Sequence, residues 1–208
     1  MAVAMGVQAL VAVVWRIPHG ADLDGAIVLP ILTTLVYGFV AADARPEPAA
    51  ASSVWERVLE RSWAVIVIDF VVSYVTALGL AGSTSPNALD LIAGLSAFVL
   101  SVLFVFADAS ATVDGDVGVL TVIPYGFVRS VQAAWRRPVL PRALAIFSIQ
   151  LLVAAVQIAL GALLQRGHVA DALFWSEIPL LTVVVPPLSA LTVLVYLDAR
   201  AAPAQSAE

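Results

Sequence analysis

The feature that most limits what this chain can become is its division into apolar blocks, at about residues 1–17, 26–42, 62–81, 88–107, 141–165 and 173–197, separated by short clusters of Arg, Asp, Pro and Gly. Most of these blocks approach the ~20 helical residues needed to cross a hydrocarbon layer of about 30 Å. A water-soluble domain is about 45 to 50% apolar, whereas 62% of these residues are hydrophobic and 12% charged. The mean hydropathy is +1.00. Lipid is therefore the solvent this composition asks for. The expected fold is an all-α integral membrane protein with about six transmembrane helices, one polytopic domain over residues 1–200 and a disordered tail at 201–208. The first block is the shortest for its task, because at ~1.5 Å per residue it reaches only about 25 Å. It must thin the bilayer, start in the interface or not span.

Positive charge sets the expected orientation, since Arg-rich short loops stay on the cytoplasmic side. All ten basic residues are Arg. Arg45, Arg57, Arg61, Arg129, Arg136, Arg137, Arg142 and Arg200 fall in or beside alternate loops, and only Arg16 and Arg166 fall in the others. Both termini are thus expected in the cytoplasm of a prokaryote, with the chain in its inner membrane. The first block carries no side-chain charge ahead of Arg16, unlike a secretory signal, and is expected to be a retained helix.

Two stretches in the Arg-rich loops have helical periodicity. Ser53 and Glu56 match a capping box, with Val54, Trp55, Val58 and Leu59 on one face and Arg57, Glu60 and Arg61 on the other. Pro124 to Trp135 places Phe127, Val128, Val131 and Trp135 at similar spacing. Both are expected to lie in the headgroup layer as cytoplasmic amphipathic helices, with Trp55 and Trp63 as anchors of the first.

The second helix of each hairpin ends alike: Val40-Ala41-Ala42-Asp43-Ala44, Val105-Phe106-Ala107-Asp108-Ala109 and Val195-Tyr196-Leu197-Asp198-Ala199. With Gln8, Asp69 and Gln150 at matched depth in the odd helices, this suggests three helical hairpins related by a pseudo-threefold repeat over 1–45, 46–110 and 111–200. A chance match of Ala/Val/Leu strings is the competing reading. Asp43, Asp108 and Asp198 would form a structural acid ring at equivalent cytoplasmic helix ends. A carboxylate there opposes the macrodipole, so each needs a partner such as Arg45, Arg200 or an Arg of the amphipathic helices.

Asp69 lies on the order of 10 Å below the interface, where an acid costs about 2.5 to 3.5 kcal/mol. Ser73 and Thr76 extend it into a polar stripe, and Gln150 with Gln157 forms a second one on the fifth helix. The stripes are expected to face each other or a shared cavity. They would hold either a substrate or proton site or a hydrogen bond that fixes packing. Pro186-Pro187 and Pro30 are expected to kink their helices, Glu177 to sit at the outer interface, and Gly94, Ala97 and Ser101 to pack closely on a neighbour. His19 and His168 fall in outer loops, where they either meet water or share a metal or pigment.

The chain has no Cys and no metal-protease, nucleophile-elbow or phosphate-loop pattern. No catalytic residue, metal or cofactor is assigned. A net charge of −5 gives no basis for nucleic acid. The partners that remain are the lipid bilayer and either other membrane subunits or a second copy in a homo-oligomer.

The stretch from Pro187 to Arg200, with Tyr196 followed by Asp198-Ala199-Arg200, resembles the last span of bacterial membrane proteins related to the membrane domain of glycerophosphoryl diester phosphodiesterases. Trp135-Arg136-Arg137 ahead of a long helix is similar to the same group. The resemblance covers about the last 80 residues. It implies a helical membrane module following interfacial helices. The acidic metal site of the soluble phosphodiesterase domain has no counterpart in these residues, so no catalytic role carries over. The sequence thus points to a noncatalytic scaffold or accessory subunit, with a small transporter built around Asp69 and Gln150 as the alternative.

Overall fold

The computed structural model describes residues 29–44, 50–83, 87–114, 118, 121–169, 172–179 and 183–201. All the regular elements among them are helices: α1 (Leu29–Asp43), α2 (Ala51–Ser83), α3 (Ala88–Leu103), α4 (Ala107–Val113), α5 (Val122–Ala134), α6 (Leu140–Arg166), α7 (Ala172–Pro179) and α8 (Val185–Ala201). Three stretches are long and apolar enough to cross a membrane, Ala51–Gly82, Ala88–Val113 and Leu140–Arg166, while the apolar helix Pro30–Asp43 is shorter. Large apolar side chains such as Phe70, Leu89, Ile92, Leu152 and Ile158 point outward along them, as lipid-facing residues do. The first block, with Gln8, Arg16 and His19, and the tail from residue 202 lie outside the described residues.

The first amphipathic stretch is not a separate helix. Nothing between Arg57 and Asp69 breaks the backbone, so it runs into the third block as one helix of 33 residues, about 50 Å long at ~1.5 Å per residue. Ser53 donates to the Ala50 carbonyl at 2.7 Å and makes no capping box with Glu56. Val54 and Val58 turn inward against Leu32 and Leu35 of α1, and Trp55 meets Phe39 edge-on at 6.1 Å. Arg61, expected on the polar face, falls on this same inward stripe and is buried, because it follows Val54 and Val58 at helical spacing.

The fourth block is interrupted. At Phe104 to Phe106 the α-helical pattern lapses between α3 and α4, with no Gly or Pro to cause it. Ser130 of α5 holds the break. Its hydroxyl donates to the Leu103 carbonyl at 2.6 Å and accepts from the Phe106 amide at 3.0 Å, satisfying both backbone groups that the break frees. The helix then resumes as α4, with Ala107, Ala109, Ser110, Ala111, Thr112 and Val113 all buried. A helix covered on almost every side lies in the middle of a bundle, and α4, built of small residues, packs against α1, α2, α5 and α8.

Small residues make that centre possible. Gly126 of α5 lies where a Cβ would stand 3.1 Å from the Ala107 carbonyl and 3.2 Å from Ile68. Ser110 donates to the Gly126 carbonyl at 2.9 Å. The buried face of α5 is therefore Val122, Gly126, Ser130, Ala133 and Ala134. Of the anticipated face of Phe127, Val128, Val131 and Trp135, Val128 and Trp135 are exposed, Val131 is half-buried and Phe127 packs against Phe104 with ring centroids 4.7 Å apart, while Arg129 lies over the Tyr125 ring at 5.1 Å. The α2–α3 pair is built likewise. Gly82 abuts the α3 backbone, Gly79 touches Ala97, and Gly94, Ala97 and Ser101 are buried in between.

Pro186 and Pro187 occupy the first turn of α8, the position of a helix where a missing N–H is best tolerated. A π-helical turn at Val183–Val184 leads into that start. Pro30 falls in the first described turn of α1.

Candidate functional site

The structure distributes the anticipated polar residues over different surroundings. Asp69 is half-buried on α2 and makes no hydrogen bond or ion pair among the described residues. Ser73 is exposed. Thr76 is tied into the α2–α3 contact, its Oγ1 lying 2.9 Å from both the Val72 carbonyl and Ser101 Oγ. Gln150 is exposed on α6, and Gln157 is half-buried. The two stripes do not meet across a shared face, because α2 lies along α3 while α6 packs chiefly on α7 and α3.

Asp69 is instead within electrostatic reach of Asp108 and Tyr37. These residues come from α2, α4 and α1, three helices that pack on one another. Tyr37 is buried in the same apolar cluster as Val105, Phe106 and Ala109, and Asp108 Oδ1 is buried with no hydrogen-bond partner among the described residues. No arginine salt bridge is formed to either acid among these residues. Two acids and a phenol on three packed helices can hold a proton or a small cation, which gives this cluster a chemical capacity that Asp69 and Gln150 together do not have here.

The three Asp of the anticipated ring do not share one structural position. Asp43 ends α1, exposed. Asp198 lies in the last turn of α8, exposed and paired with Arg142. Asp108 stands in the first turn of α4, because the break at Phe104–Phe106 puts a new helix start just before it. At a helix start a carboxylate is favoured by the macrodipole instead of opposed by it. Of the anticipated partners, Arg200 binds elsewhere and Arg45 lies outside the described residues.

The strongest polar assembly was not anticipated. Asp114, at the C-terminal end of α4, is 6% exposed. It accepts a hydrogen bond from the Tyr196 hydroxyl at 2.5 Å and an ion pair from Arg200 at 2.8 Å. Beside it, Arg136 donates to the Ala199 carbonyl at the end of α8, supplying a cation and a donor where a helix C-terminus needs both. With Arg142–Asp198, these contacts fasten the end of α8 to α4, α6 and the loop after α5. The sequence signal for this was the Tyr196-x-Asp198-x-Arg200 pattern, which named one side of the clamp but not Asp114 opposite.

His168 has a backbone role. Its φ of 55° makes it the left-handed residue that closes α6, with His168 N–H on the Gln165 carbonyl at 3.0 Å and Val169 N–H on the Leu164 carbonyl at 3.1 Å. This is a Schellman ending. The described part of the structure contains no group of three His, Cys, Asp or Glu that could hold a metal ion. The backbone of Glu177 belongs to α7.

The comparisons with known proteins add no relative: no family model matches the chain, and no curated protein and no solved structure matches it. The described residues form an all-helical fold, with three helices among them long and apolar enough to cross a membrane.

Proposed function

We propose that this chain is a noncatalytic integral membrane protein acting as a scaffold or accessory subunit in a prokaryotic cytoplasmic membrane. Its six apolar segments would pair as three hairpins, with both termini cytoplasmic. The observation that carries this reading is Gln150. It is exposed, with no partner among the described residues, on the 27-residue apolar helix α6. A carboxamide in hydrocarbon gains from a partner across a helix interface, and such amides associate membrane helices by about 1 to 2 kcal/mol in model peptides. The partner would be another membrane subunit or a second copy of the chain. The absence of cysteine makes the test clean. A photo-crosslinker at position 150, in native membranes, should give a discrete protein adduct, and adducts with lipid alone would sink the reading.

A second reading, a small transporter, draws on a different observation, the Oδ1 of Asp108, which has no hydrogen-bond partner among the described residues and lies within electrostatic reach of Asp69 and Tyr37. It shifts the polar site away from Gln150 and onto these three residues. Purified protein in liposomes should then take up protons or a monovalent cation in a way that Asp69→Asn abolishes. Liposomes as tight with the protein as without it would remove this alternative.

A further inference from the structure

A groove runs between α6 and α8 with a charged end and apolar walls. Arg142 and Asp198 close one end, and Ile149, Leu191, Leu194 and Val195 line the rest, around about 700 Å³ of laterally open space. Each wall follows one helical face, since the lining positions on both helices recur at i, i+3, i+4 and i+7. The helices run antiparallel here: Arg142 meets Asp198, and from that pair the walls continue forward to Ile149 and back to Leu191.

Its depth in the bilayer follows from α6. Residues 143–165 carry no charge and are bracketed by Arg142 and Arg166. At ~1.5 Å per residue that run measures about 35 Å, close to the hydrocarbon thickness of about 30 Å. Arg142 thus stands at headgroup level and the apolar walls at the depth of acyl chains. Ile149, Leu191 and Leu194 are 39%, 44% and 48% exposed, so nothing in the described structure covers them.

The charged end selects the headgroup. Asp198 occupies one donor of the Arg142 guanidinium, leaving the others of its five N–H groups for a phosphate. Arg136, bonded to the carbonyl of Ala199, brings a second guanidinium beside Asp198. Among the described residues, Arg136 and Arg142 stand against Asp198 at this end, an excess of one positive charge. We propose that this groove binds one anionic glycerophospholipid, with its phosphate on Arg142 and one acyl chain along Ile149, Leu191 and Leu194. The proposal rests on α6 crossing the bilayer and is independent of what Gln150 binds.

Native mass spectrometry of the full chain, purified with mixed phosphatidylglycerol and phosphatidylcholine of identical acyl chains, tests it. One phosphatidylglycerol should be retained in preference, by about fivefold for one net charge. Arg142→Gln should abolish the preference. Asp198→Asn should increase it, since the competing carboxylate is gone. Leu194→Trp, which fills the groove and leaves both charges, should release the lipid whatever its headgroup. Equal retention of the two lipids by the natural chain would overturn the proposal, and so would retention unchanged by Leu194→Trp or a preference lowered by Asp198→Asn. The two charge variants lie at exposed positions and keep the test decisive even if Leu194→Trp does not fold.

Discussion

Tyr196 donates its hydroxyl to Asp114 Oδ2 at 2.5 Å, joining the last helix to the end of α4 across 82 residues of chain. One turn further along α8, Arg200 meets the other oxygen of the same carboxylate at 2.8 Å. The two donors share a helical face, so seating one brings the other into place. This contact, with Arg142–Asp198, fixes α8 against the centre of the bundle.

Removing members of this junction should have unequal effects. Asp114 is buried, and Asp114→Ala strands the Tyr196 hydroxyl, with an expected loss of about 2 to 3 kcal/mol. Tyr196→Phe leaves the carboxylate short of a donor and should cost about 1.5 to 3 kcal/mol. The Arg200 side chain is 58% exposed, so Arg200→Gln should cost less than about 1 kcal/mol. Unfolding of the three variants in mixed micelles checks the order, and an Arg200→Gln effect as large as that of Asp114→Ala would contradict it.

The break between α3 and α4 should depend on one hydroxyl. Ser130→Ala leaves the Leu103 carbonyl and the Phe106 amide unsatisfied at a fully buried position. A loss of about 1 to 3 kcal/mol is expected. Hydrogen exchange supplies the specific readout. The Phe106 amide should lose protection in Ser130→Ala while amides in the middle of α6 keep theirs, and unchanged protection at Phe106 would show that the break is held by something else.

These contacts mark where the sequence was legible. Long apolar runs disclose helices because lipid leaves the backbone few other choices, and α6 follows its run closely, whereas α2 begins well before its run and α3 stops short of the end of its own. Gly94, Ala97 and Ser101 were visible as a packing face, but the matching Gly79 and Gly82 were not singled out. The break at Phe104–Phe106 has no local signature, because its cause is Ser130, 24 residues away from Phe106. Asp108 was accordingly placed at a helix end when it stands at a helix start. The buried side of α5 was missed for a related reason: periodicity favours large apolar residues, whereas this side is mostly small, with Gly126, Ser130, Ala133 and Ala134 beside Val122.

The α2–α3 contact should reject even a methyl group at one position and tolerate it better at the next. A Cβ on Gly82 would lie 2.5 Å from the Asp90 carbonyl and 2.8 Å from Gly94 Cα, backbone atoms that cannot rotate away. On Gly79 the nearest atoms are at 3.4 Å, ordinary contact. Gly82→Ala should therefore destabilise by about 1 to 3 kcal/mol through forced separation of the helices. Gly79→Ala should be near neutral. Thermal melts of the two variants decide this, and equal melting temperatures would mean that the helices do not approach this closely.

Asp108 offers the sharpest contrast between structure and function. A carboxylate oxygen buried with no hydrogen-bond partner among the described residues is a burden on the fold, since burying a charge uncompensated costs more than burying a neutral polar group. If the group serves nothing, Asp108→Asn, which keeps the shape and removes the charge, should raise stability by about 1 kcal/mol or more. Proteins retain such burdens where activity needs them. Stability and liposome flux should be measured together on Asp108→Asn and Asp69→Asn. A stabilised variant with no change in flux places Asp108 with the scaffold reading. A stabilised variant that abolishes a cation or proton flux makes the pair with Asp69 a transport site. A destabilised Asp108→Asn would contradict both, because it would mean that the carboxyl holds a partner essential to the fold.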